Sequence, residues 1–139
     1  MACEKLCKAH LCGQGSEAAD LQSSHAYIAN VLPIIVRQRI ATQLHHKPKD
    51  GTAVMAQVRT LSRAIELLSP AVRDGGAHPA NCEYPWIGPG GRLVVPARHK
   101  FSLDLLYAPA GRFLLKAMYA ELDLLIDRKD APHIGTMAR

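Results

Sequence analysis

The chain has few aromatic residues: Phe, Trp and Tyr together make up 5% of its 139 positions. Sheets lean on aromatic and β-branched side chains, so an interior filled by Leu, Ile, Val, Ala and Met favours helix. Long apolar runs are missing too. The longest, Ile28 to Val36, is interrupted by Asn30 and Pro33 and falls well short of a membrane span. The first residues carry Glu4, Lys5 and Lys8 where a secretory leader needs an unbroken apolar stretch. Of the four cysteines, Cys3, Cys7 and Cys12 crowd the beginning and Cys82 stands alone. That is not a disulfide framework, and reduced thiols with a cytoplasmic location are expected.

Acidic residues are absent from most of the first half. Between Leu21 and Ile65 the only acid is Asp50, against Arg37, Arg39, Lys47, Lys49, Arg59 and Arg63, with His45 and His46 among them. A second basic stretch holds Arg92, Arg98, Lys100, Arg112 and Lys116 against Asp104. The compensating Glu121, Asp123, Asp127 and Asp130 gather towards the other end. The net charge is +5 and the isoelectric point about 9.2. Segregation of this kind sets up a field that attracts polyanions, of which nucleic acid is the commonest.

Length and apolar content fit a single helical domain spanning 1–139, with residues 1–15 as a flexible N-terminal segment that breaks at Gly13-Gln14-Gly15. Ser16 is suited to cap a helix running from Glu17 to His46, with a kink or a junction of two helices at Pro33. Beyond that proline, Val36, Ile40 and Leu44 mark a buried face, and Arg39, Gln43 and His46 lie on another, free to meet solvent or a ligand. After a turn at Pro48 to Gly51, Thr52 opens a helix to about Leu68, whose apolar set is Val54, Val58, Leu61, Ile65 and Leu68.

Residues 75–100 hold Pro79, Pro85, Pro89 and Pro96 and are the least helical part. They form a long loop, or a short hairpin pairing Tyr84–Ile87 with Arg92–Val95 around Gly88-Pro89-Gly90-Gly91. A short helix from Leu103 to Tyr107 precedes the last one, which starts with Pro109 and runs to about Asp127. Its apolar surface is broad, so it is either the centre of the core or an interface for a protein partner or a second copy. The fold class is therefore all-α, a bundle of about four helices with an irregular 75–100 segment.

Chemical motifs are weak. Cys3, Cys7, His10 and Cys12 lack the paired C-x2-C spacing of a zinc site, so no metal is assigned. Gly13-x-Gly15-x-x-Ala18 lacks the preceding strand of a dinucleotide fold, and Gly88-Pro89-Gly90-Gly91-Arg92 lacks the Lys-Ser/Thr of a phosphate-binding loop. Cys82 with His78, and His99 with Ser102 and Asp104, match no catalytic signature. A helix-turn-helix over Leu103 to Asp127 would place the most apolar helix against the bases. No catalytic residue, cofactor or small-molecule substrate is assigned. The expected function is a non-enzymatic nucleoprotein component whose Arg37, Arg39, Lys47, Lys49, Arg59 and Arg63 neutralise phosphates. The alternative is a protein-binding regulator or inhibitor of the mobile-element type, acting through the 75–100 loop or the last helix.

Residues 27–44, running from Tyr27 through Leu32-Pro33, Val36 and Ile40 to Leu44, resemble a stretch in small helical subunits of CRISPR ribonucleoprotein complexes. A leucine-rich helix closes the chain in that family, as Tyr107–Ile126 does here. The resemblance implies core roles for Tyr27, Leu32, Pro33, Val36, Ile40 and Leu44. It also implies nucleic-acid backbone contacts for Arg37 and Arg39, in a structural subunit lining a nucleic-acid path.

Overall fold

The computed structural model describes residues 2–22, 27–42, 51–69 and 83–130. Among them the chain is mostly helical with little strand. The helices are α1 (Ala2–Gly13), α2 (Ala18–Gln22), α3 (Ile28–Thr42), α4 (Gly51–Glu66) and α5 (Pro109–Asp130), and the strands β1 (Trp86–Ile87) and β2 (Leu93–Val94) lie between α4 and α5. The helix α3 packs on α1, α4 and α5, while α5 also meets α1 and α4.

Apolar side chains at helical spacing explain this arrangement. Ile28, Val31, Leu32, Ile35 and Val36 of α3 are buried against Val58 and Leu61 of α4 and Ala110, Leu114 and Ala117 of α5. Each large apolar side chain so enclosed contributes roughly 1.5–3 kcal/mol. Pro33 lies inside α3 and is buried, and the helix continues through it. The helical stretch expected from Glu17 to His46, with a kink or a junction at Pro33, contains two helices, α2 and α3, and α3 begins before the proline and runs through it. Packing on both sides of Pro33 offsets the one backbone donor it lacks.

The first residues are not a flexible lead. They form α1, with Glu4, Leu6, Cys7 and His10 buried on one face. The Gly13-Gln14-Gly15 break follows that helix, and Gly15 adopts a φ of +95°, which suits glycine. Of the hairpin expected over 84–95, Trp86–Ile87 and Leu93–Val94 pair, with Trp86 opposite Val94 and Ile87 opposite Leu93. Gly90 and Gly91, at φ +74° and +73°, turn the chain between the strands. Trp86 is buried edge-on to His99 at 5.1 Å between ring centres, and Phe101 closes the cluster at 6.2 Å.

A single 3-10 turn, Asp104–Leu106, stands where a short helix was expected from Leu103 to Tyr107. It crosses the start of α5 so closely that a Cβ on Gly111 would collide with the Leu106 backbone. No helix among the described residues is long and apolar enough to cross a membrane.

Candidate nucleic-acid interface

The buried seam between α3 and α4 dictates where their arginines go. With Val58, Leu61 and Ser62 turned inward, Arg59 and Arg63 fall on the outer face of α4, one turn apart. Across the gap Arg37 projects from α3. All three are exposed and line one groove of about 390 Å³. Asn30, Pro33, Ile34, Met55 and Thr60 also line it, and no acid does so among the described residues. None of the three arginines has an ion-pair partner among the described residues.

The nearest acid on α4 is occupied elsewhere. Glu66 Oε1 accepts a hydrogen bond of 3.0 Å from the Ala29 backbone N–H in the first turn of α3. There the carboxylate satisfies an amide that has no helical partner and sits at the positive end of the helix dipole. Pro33, one turn on, has no N–H to offer the Ala29 carbonyl, and both residues line the groove.

Arg39 does not join this set. Its Nε lies 2.9 Å from Glu121 Oε2, off-axis for a hydrogen bond, and the side chain is 13% exposed. The other oxygen of Glu121 receives His10 at 2.7 Å. A carboxylate only accepts, so the His10 Nδ1 carries the hydrogen. Glu121 is 3% exposed, and the cluster ties α1, α3 and α5 together from inside. The expectation that Arg39 meets solvent or a ligand is therefore corrected, because a buried anion on α5 holds it. Lys47 and Lys49 lie outside the described residues, as do His45, His46, His78 and Cys82.

The cysteine and histidine cluster near the chain's beginning is built for packing. Cys7 is fully buried, and His10 faces Glu121. Cys3 Sγ is 4.0 Å from Met118 Sδ, and Cys12 is exposed. Burial, reinforced by the nearby Cys3, Glu66 and Glu4, pushes the Cys7 thiol up to about 12. No group of three or more metal-ligating side chains converges among the described residues.

Glu121, expected only as one of the acids that compensate the basic stretches, has a structural role that its sequence neighbourhood did not single out. Ala110, Leu114, Ala117 and Glu121 recur every three or four residues, so the carboxylate continues the buried stripe of α5. An acid on such a stripe needs an internal cation, and that was the available signal.

Compared with known protein families, with curated proteins and with solved structures, the chain matches none.

Proposed function

We propose that this chain is a non-enzymatic helical component, a bundle of about four helices, of a cytoplasmic nucleoprotein complex. In this reading the α3–α4 groove holds a nucleic-acid backbone through Arg37, Arg59 and Arg63. The observation that carries it is the convergence of three exposed guanidinium groups from two helices on one groove, with no ion-pair partner and no lining acid among the described residues. Guanidinium groups match phosphate oxygens in a planar fork and remain charged at any working pH. Lys47 and Lys49, in the chain segment joining α3 to α4, belong to the same basic run. The resemblance of residues 27–44 to CRISPR complex subunits supports the same role from sequence.

Binding of a labelled single-stranded oligonucleotide across a salt series tests this. Each phosphate contact contributes about −0.7 to the slope of log affinity against log salt. Changing Arg37, Arg59 and Arg63 together to Ala should reduce the magnitude of that slope by about 2. Changing the exposed Arg92, Arg98 and Lys100 should leave it nearly unchanged. Absence of binding at low salt, or a triple variant that binds as the parent does, would overturn the reading.

The hairpin favours a second reading, that of a protein-binding regulator or inhibitor. Its Tyr84, Ile87 and Leu93 are 62%, 60% and 67% exposed. Three large apolar side chains on so short an element suit a protein partner. A partner recovered by the parent chain and lost with Ile87→Lys and Leu93→Lys would support it.

A further inference from the structure

Four large apolar side chains of α5 point outward: Leu115, Tyr119, Leu122 and Ile126 are 44%, 69%, 45% and 49% exposed. Together with Leu6 and Ala9 of α1 they line an open groove of about 520 Å³. Contiguous apolar surface of this kind marks an interaction site.

The charges along its edge indicate what covers it. Arg112, Lys116, Asp123 and Asp127 are all exposed and fall within about a sixth of the helix circumference, beside the apolar stripe. Within one chain this arrangement is unfavourable in two ways. Arg112 with Lys116, and Asp123 with Asp127, are like charges one turn apart. The cations also lie towards the start of α5 and the carboxylates towards its end, the reverse of what the helix dipole favours. None of the four has an ion-pair partner among the described residues.

Their positions are symmetric about the Tyr119–Ala120 peptide. A two-fold axis there lays a second α5 antiparallel to the first and brings the same edge of each helix together. Arg112 then faces the partner's Asp127, and Lys116 faces the partner's Asp123. Both like-charge pairs become cross-helix ion pairs, and the opposed dipoles offset each other. Tyr119 sits beside the axis and packs against its own copy.

We propose that α5 is the interface of a homodimer in which two antiparallel copies of this helix cover each other's apolar stripe, with register set by Arg112, Lys116, Asp123 and Asp127. A parallel pairing would put the two charged edges on opposite sides of the interface and leave the like-charge pairs of each helix uncompensated. Apolar contact supplies the affinity, and the charges choose the orientation.

Sedimentation of the full chain over a wide concentration range tests this with two charge variants. Arg112→Glu with Lys116→Glu makes the edge wholly acidic, and Asp123→Lys with Asp127→Lys makes it wholly basic. All four sites are exposed, so both variants should keep the parent's circular dichroism. The parent should sediment at twice the 15.1 kDa chain mass. Each variant alone should be a monomer, and an equimolar mixture should recover the dimer. Tyr119→Glu should also give a folded monomer. A parent that remains a monomer at every concentration, leaving the groove to some other partner, would overturn the proposal. So would charge variants that dimerise separately as well as the parent does.

Discussion

His10 Nδ1 lies 2.7 Å from Glu121 Oε1, across almost the whole length of the chain. The imidazole and the carboxylate are 4% and 3% exposed, so this contact is made inside the protein. With Arg39 on the second oxygen, one carboxylate holds three helices in register. Removing such an anion leaves a guanidinium and an imidazole without a compensating partner in a place water barely reaches.

Glu121→Ala should therefore cost about 3 kcal/mol or more of folding free energy, read from the shift of a urea unfolding midpoint. Arg39→Ala should destabilise as well, yet leave the salt slope of oligonucleotide binding where it was. Arg37→Ala should do the opposite, lowering the slope with little effect on stability. If Arg39→Ala changes the slope and leaves the midpoint alone, the assignment of Arg39 to the interior is wrong.

Gly111 is buried under the Asp104–Leu106 turn, and any Cβ there meets backbone, which cannot rotate aside. Gly111→Ala should destabilise by about 1–3 kcal/mol even though alanine is the better helix former. Thermal unfolding followed by circular dichroism measures this. An alanine variant as stable as the parent would mean that the turn is free to lift from α5.

The Cys7 thiol sets a pH dependence. Its pKa rises from 9.0 to about 12 on folding, chiefly through burial. Between these values the unfolded chain has released a proton that the folded chain retains, so stability falls as pH rises through that window. The slope is at most about 1.4 kcal/mol per pH unit. Below pH 9 the contribution is fully present. Cys7→Ala should be less stable than the parent near neutral pH, and the gap should narrow progressively above pH 9. A gap that stays constant up to pH 11 or so would show that Cys7 does not titrate differently in the two states.

Residue pattern made some of this legible and hid the rest. The α4 seam could be read because Val58, Leu61 and Ile65 recur at helical spacing, and that fixed Arg59 and Arg63 outside. The hairpin could be read because Gly90 and Gly91 stand between two short apolar runs. For α1 the pattern misled: Cys3, Cys7 and His10 share a face, and small, weakly apolar residues there resemble a loose end as much as a packed helix. Only contact with α3 and α5 decides between them. Arg39 was illegible for a different reason. A charged side chain beside a buried face reads as solvent-facing unless its partner is known, and that partner comes from a distant helix. The outward stripe of α5 was visible in sequence, and its exposure adds which of its apolar residues lie outside.

Glu66 makes the first turn of α3 a counterweight to the arginine groove. While the Ala29 N–H holds the carboxylate, Glu66 caps the first turn of α3 and forms no ion pair with Arg63 among the described residues. Unwinding that turn would free Glu66, which stands one helical turn from Arg63, to become an internal competitor for the guanidinium that a phosphate would occupy. In the proposed nucleic-acid reading, the helix end that walls the groove is also what keeps the neighbouring acid turned away from Arg63.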